Sequence, residues 1–334
     1  MREIAKRSSS DRQALYLNTA RQSGMNEAIV EKDFWVCWTL DYLFHRSPWK
    51  EHFVFKGGTS LSKSWHLIKR FSEDIDLILD WRLLGYEHED PWKKRSNTGQ
   101  DSFNEGVNRK TEEFLLNQCL PVIKKDFSEI LSEPVELFID NDDPQTIKFC
   151  YPQSFKDRSI LQEIRLEIGA LAIWTPSVVQ PILPFAAEYY GRLFQLSTTD
   201  ILTVRPERTF WEKATILHRE ANRSENKAFP LRYSRHYYDL YCMTQSPVKQ
   251  IAFADLDLLK KVVMFKEKFY RCPWAHYDQA VTGTLRLLPK ECHKKSIEDD
   301  YQRMKNMFYE TAPSFQTLME ALKVLEDEIN QLFS

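Results

Sequence analysis

Apolar and polar positions around residues 53–80 alternate in a way that predicts four consecutive elements. Val54-Phe55 reads as a strand, Gly57-Gly58 as a turn, and Leu61, Trp65 and Ile68, at i, i+4 and i+7, as the apolar stripe of a helix laid on a sheet. A second strand follows, with Ile75, Leu77 and Leu79 at alternate positions. Side chains flip with period two in an extended chain, so Asp74 and Asp76 share the face opposite those three.

The same reading extends in both directions. Residues from about 10 to 46 are expected to be helical, with Ile29, Phe34, Trp38 and Leu40 in the core and Glu31-Lys32-Asp33 near a surface or site. Gly85 to Gly106, with Pro91, Asn97 and Gly99, reads as an exposed insertion. Residues 108 to 131 form an amphipathic helix candidate with Phe114, Leu115, Cys119 and Val122 inside, despite Pro121. Val135 to Ile139 and Thr146 to Tyr151 alternate as paired strands around the turn Asn141-Asp142-Asp143-Pro144. In Glu163 to Ile168 the apolar face is Ile164, Leu166 and Ile168, leaving Glu163, Arg165 and Glu167 on the other. After a loop containing Pro176, Pro181 and Pro184, helical signals dominate from Thr198 onward. There Phe210, Ala214, Leu217 and Ala221 repeat at i, i+4, i+7 and i+11, with Lys213 beside that face. Arg235 and Asp239 lie four apart on a later helix, able to pair or to address a site together. Phe315 to Phe333 closes the chain as an amphipathic helix.

Composition narrows the function classes. A formal net charge of −2 over 334 residues excludes a basic nucleic-acid coat, so an RNA partner must use a local patch. Between Arg205 and Arg235 eight Lys and Arg residues stand against Glu207, Glu212, Glu220 and Glu225, which supplies one. Lys93-Lys94-Arg95 beside Trp92 is a smaller candidate. Six dispersed cysteines without a Cys-x-x-Cys pair argue against a zinc ribbon or a thioredoxin-like centre. Cys272 with His276 and Cys292 with His293 lack the four convergent ligands that structural zinc requires. Neither a secretory h-region nor a membrane-length apolar run is present, so a soluble cytoplasmic protein is expected.

The candidate chemistry lies in the first stretch. Two carboxylates held side by side repel, and Mg²⁺ relieves this while completing its shell with waters and substrate phosphates. Glycines at 57 and 58 let the backbone approach a phosphate closely and adopt positive φ. Thr59 or Ser60 is then expected to cap the next helix, whose first N–H groups favour anions. Either motif alone is often only a tight turn or a solvated strand end; their order is what carries weight.

Phosphate grip followed by paired aspartates resembles the DNA polymerase β-like nucleotidyltransferases. Within them, Gly57-Gly58-Thr59-Ser60-Leu61-Ser62-Lys63 through Arg70-Phe71-Ser72-Glu73-Asp74-Ile75-Asp76-Leu77 resembles the signature of the AbiEii toxin family. Arg208-Thr209-Phe210-Trp211-Glu212-Lys213-Ala214, Arg235-His236-Tyr237-Tyr238-Asp239-Leu240-Tyr241 and Val30-Glu31-Lys32-Asp33-Phe34-Trp35-Val36 match its other blocks in order. The gap from the glycines to Asp74 is a few residues longer than in many polymerase β-like enzymes.

The resemblance implies an α+β fold, with a nucleotidyltransferase sheet domain over residues 1–195 and a mainly helical domain over 196–334. It implies catalytic roles for Asp74, Asp76, Lys213 and Asp239, with Glu167 as the third carboxylate and Glu163 as its rival. Asp74 and Asp76 would hold Mg²⁺ or Mn²⁺. Gly57, Gly58, Thr59, Ser60, Lys63 and Arg235 would hold the NTP. The implied acceptor is RNA, in the first place the tRNA 3′ end, with translation blocked, an antitoxin from the same operon and a setting in phage defence. A transferase that adenylylates protein and a silent RNA-binding module are the rival readings.

Overall fold

A computed structural model describes residues 1–72, 74–157 and 160–332, so Glu73 of the signature and Phe333 of the last expected helix lie outside the described residues. The chain divides into two compact units, Met1–Ser64 with Phe71–Val204 and Trp65–Arg70 with Arg205–Ser334.

The first unit is built on seven strands: β1 (Phe53–Lys56), β2 (Ile75–Leu79), β3 (Glu136–Ile139), β4 (Thr146–Cys150), β5 (Ile164–Gly169), β6 (Ser177–Ile182) and β7 (Thr199–Val204). They form one mixed sheet in the order β3-β4-β5-β2-β1-β7-β6. β2 runs antiparallel to β1 and parallel to β5, and β7 runs parallel to β1. The expected pairing of β3 with β4 is present. β7 corrects the expectation of helix from Thr198: its β-branched Thr199, Ile201, Thr203 and Val204 suit a pleated, buried surface. β6 falls in the expected proline-rich loop, and its edge position tolerates the N–H missing at Pro181.

Helix Glu27–His45 is buried on every side, with all its residues from Ala28 to Phe44 shielded from solvent. Asn26 caps it, accepting the Ala28 N–H at 2.8 Å. Trp38 meets Phe127 at 4.6 Å between ring centroids, and Phe127 meets Phe149 of β4 at 4.9 Å. Glu31, Lys32 and Asp33, expected near a surface or site, are buried, and each ties this helix to a segment far along the chain. Glu31 accepts the N–H groups of Ser154 and Phe155, Lys32 donates to the Leu161 carbonyl at 2.6 Å, and Asp33 accepts the Phe185 N–H at 2.7 Å. Buried charge survives only where it is satisfied in this way.

Two further expectations shift. The stretch from Gly85 to Gly106 is not wholly an insertion, since helix Asn97–Phe114 begins within it, capped by Ser96. One π turn, Leu115–Cys119, leads from it into helix Leu120–Ile130 just where Pro121 lacks an N–H to donate. That turn carries an extra residue, so the inner face moves from the expected Val122, which is half-buried, to Ile123.

The second unit is helical: Pro206–Ala221, Ser234–Thr244, Val248–Ala254, Leu256–Phe269, Glu291–Arg303 and Phe315–Gln331 are its longer elements. Phe210, Ala214, Leu217 and Ala221 are all buried, as their spacing predicts. The strap Trp65–Arg70 belongs here, with Arg70 bridged to Phe308 and the Tyr309 N–H donating to the Lys69 carbonyl at 2.9 Å. The expected helix carrying Leu61, Trp65 and Ile68 therefore ends at Lys63. Among the described residues no helix is long and apolar enough to cross a membrane.

Candidate active site

In the sheet unit, register creates a polar row. Asp76 lies opposite Lys56 on β1 and Glu167 on β5, and Glu167 lies opposite Thr146 on β4. Two residues along the same face of β2, Ile78 packs into a dry cluster with Val54, Ala172 and Val204. Asp74 sits just before β2, and its carbonyl accepts the Thr59 hydroxyl. Gly57 has φ 79°, and a Cβ built there would lie 1.8 Å from Asp76 Oδ2. Only a residue without a side chain allows this backbone against that carboxylate.

The helix after the turn, Gly57–Lys63, starts earlier than expected and has no side-chain cap. Thr59 and Ser60 thus lie inside its first turn and cannot cap it. Both are buried, and the Ser60 hydroxyl donates to the Gly57 carbonyl at 2.8 Å. Their hydroxyls brace the glycine turn against the start of β2.

Arg165, which sequence reasoning left as a plain strand residue, lies among the acids. It is 2.6 Å from Asp140 Oδ2, 3.6 Å from Glu167 Oε1 and 3.9 Å from Glu163 Oε1. Burial would lower its pKa, but the hydrogen bond to Asp140 and the charges of Asp74 and Glu167 turn the net shift upward. Glu163 is also held by Lys148 at 3.2 Å, whereas Glu167 is the direct register partner of Asp76. Among the described residues no three His, Cys, Asp or Glu side chains converge as a metal cluster. Asp76 on β2 and Asp74 just before it nevertheless suit Mg²⁺, which takes one or two carboxylates from protein and the rest from phosphate and water.

Lys63, expected at the nucleotide, is engaged within the sheet unit. Its ammonium is buried 2.7 Å from Asp33 and lies 4.1 Å from the centroid of the Phe185 ring. Lys63→Met should cost about 3 kcal/mol by leaving Asp33 buried and unpaired, with the KM for NTP unchanged. Thermal melts and nucleotide titration check this; a raised KM at unchanged stability would return Lys63 to the nucleotide.

In the helical unit Asp239 has no exposed surface. Arg70 donates to both its oxygens, from Nε at 2.7 Å and Nη2 at 2.8 Å, and Lys213 donates to Oδ2 at 2.7 Å. Burial pushes the Asp239 carboxyl up, yet these two cations overcome it and hold the group well below the usual carboxylate range. Lys213 is lowered, chiefly by burial, with Asp239 opposing and Arg70 adding to the shift. His236 Nδ1 lies 3.2 Å from the Lys213 ammonium. Burial, Lys213 and Arg235 keep that imidazole neutral, so it accepts from the lysine. Asp239 thus does not pair with Arg235, which is half-buried, because other cations fill its oxygens. Arg70 was quoted only as part of a motif; no periodicity marked it, since its partner is 169 residues away.

Four of the eight basic residues in the expected patch pair with glutamates of the same stretch. Arg205 pairs with Glu207 at 2.6 Å, Arg208 with Glu212 at 2.9 Å, and both Arg219 and Arg223 with Glu220.

Comparison with known proteins follows from this geometry. The family described as "Nucleotidyl transferase AbiEii toxin, Type IV TA system" matches residues 40–321. No curated protein matches the chain. Among solved structures it is similar to MenT4, nucleotidyltransferase toxin Rv2826c from Mycobacterium tuberculosis H37Rv, at 15% identity over 95% of this chain and 97% of that one, with a TM-score of 0.47. It is also similar to JHP933 from Helicobacter pylori, at 14% identity over 92% of this chain and 99% of that one, TM-score 0.37. The family match spans most of the chain and includes the glycine turn, both aspartates, Lys213 and Asp239. On that ground the chain belongs to the AbiEii nucleotidyltransferase toxin family of type IV toxin–antitoxin systems.

Proposed function

We propose that the protein transfers a nucleoside monophosphate from an NTP to RNA, at the 3′ end of tRNA, and so blocks translation. The observation that carries the reading is Gly57 held against Asp76, with Glu167 in register beside it. Asp74 and Asp76 would hold Mg²⁺, which when bound neutralises phosphate charge. The main chain at Gly57, Gly58, Thr59 and Ser60 brings the triphosphate to those carboxylates. The acceptor hydroxyl attacks the α-phosphorus, a new P–O bond forms, the bond to the bridging oxygen breaks, and pyrophosphate leaves. We assign Glu167, in register beside Asp76, to take the hydroxyl proton.

Within the helical unit, Lys213 is the cation offered to the nucleotide's phosphates, with Arg235 as a second. Asp239 is assigned to orienting Lys213. Its two oxygens are held by Arg70 and Lys213, which supports this assignment over the expected one at the acceptor hydroxyl. The family implies an NTP substrate and an antitoxin partner.

The test is purified protein with Mg²⁺, total RNA and each α-labelled NTP in turn. Label on tRNA-sized RNA, lost on chelation, is the expected result. Label on a protein band would replace the acceptor, and no label with any nucleotide would remove the reading.

A further inference from the structure

A cavity of about 500 Å³ opens in the helical unit, and the active-site reading leaves it unused. Its walls include His66 and Lys69 from the strap, Tyr238, Tyr241 and Gln245 from the end of helix Ser234–Thr244 and the residue after it, and Glu310. The volume suits one nucleotide-sized ligand. Among the described residues Lys69 is the one Lys or Arg in its lining, and Glu310 shares that ammonium at 3.5 Å. A triphosphate calls for several cations, so the charge matches a single phosphodiester better than an NTP. Two tyrosines three residues apart on one helix, with an amide a further turn along, offer an aromatic face and an edge-reading group.

The wall is continuous with the buried ion network. Lys69 and Tyr238 immediately precede Arg70 and Asp239, and the Lys69 N–H donates to the Tyr238 hydroxyl at 3.3 Å. His66 adopts φ 52°, a left-handed conformation that a non-glycine residue enters at a cost, and such residues gather at ligand sites.

We propose that this cavity receives one unpaired nucleotide of the acceptor RNA, its base against Tyr241, its edge read by Gln245 and its phosphodiester beside Lys69. The inference rests on RNA being the acceptor. Tyr238 is buried and ties the wall together, whereas Tyr241 is half-buried and can present its ring.

The experiment measures binding of a fluorescent single-stranded hexaribonucleotide and, separately, of NTP with Mg²⁺, to the full chain. Tyr241→Ala should weaken hexanucleotide binding about tenfold, since base stacking on an aromatic ring is worth that much. Tyr241→Phe, which keeps the ring, should bind as wild type does, and NTP affinity should stay unchanged in both. Lys69→Ala should weaken hexanucleotide binding and flatten its salt dependence. Unchanged hexanucleotide binding by Tyr241→Ala overturns the proposal, as does a loss confined to NTP. Melting curves keep a misfolded variant from counting as support. The labelling assay separates the two failures: RNA labelled by wild type with Tyr241→Ala binding intact removes the cavity alone, while label on protein removes both.

Discussion

Gly57→Ala should stop nucleotide transfer, by at least about a hundredfold, without altering one charged group. Its Cβ would fall 1.8 Å from Asp76 Oδ2, 2.6 Å from Cγ and 2.9 Å from Cβ, so the carboxylate must leave its place. The left-handed backbone at φ 79° adds about 1–2 kcal/mol of strain for any side chain. Asp76→Ala should abolish transfer as completely but with little change in melting, because the side chain is half-buried on a polar row. The two substitutions in one chain should destabilise less than their sum, since truncating Asp76 removes most of what the new methyl meets. Transfer of labelled nucleotide and denaturant midpoints for the four proteins close the cycle. An active Gly57→Ala enzyme would show that Asp76 has no fixed position to protect.

Asp239→Ala should cost the fold about 3–5 kcal/mol, the penalty for leaving buried cations without their anion. Asp239→Asn keeps the volume and is the variant for titration. The folded carboxyl is depressed below its unfolded value of about 4. Its contribution to stability is therefore complete above that pH and is lost as pH falls toward the folded value. Wild-type denaturant midpoints should fall along an acid limb that is shallower in Asp239→Asn. Activity should move in the other direction of pH. Asp239 raises the pKa of Lys213 against burial, so its removal lets the ammonium lose its proton sooner. Transfer by Asp239→Asn should then decline with rising pH from a lower pH than in wild type. Identical pH profiles would mean that Asp239 does nothing for the charge of Lys213.

Local pattern was a good guide wherever a short-range periodicity decided burial. The alternation of Ile75, Leu77 and Leu79 and the spacing of Phe210, Ala214, Leu217 and Ala221 both translate into buried faces. It was a poor guide where long-range partners decide. Nothing near Glu31, Lys32 and Asp33 reveals that backbone groups more than a hundred residues away would bond to them. Pro121 announced a disturbance but not the π turn that absorbs it and shifts the inner face by one. In the candidate site the closeness of Gly57 to Asp76 follows from the local order of strand, turn, helix and strand, which spacing makes legible. Arg70 and Arg165 were not legible, since each is recruited by a neighbour on another element. The basic count between Arg205 and Arg235 overstates the patch, because glutamates of the same stretch pair with four of the eight cations.

The strap Trp65–Arg70 sets a schedule for the newborn chain. Arg70 leaves the ribosome early, yet its carboxylate partner lies 169 residues later. At ordinary translation speeds that is a wait of roughly ten to thirty seconds, during which the guanidinium must stay hydrated. Chains interrupted before residue 239 carry the signature glycines and aspartates yet lack the anion that Arg70 and Lys213 share, so a broken message would yield a product without this network.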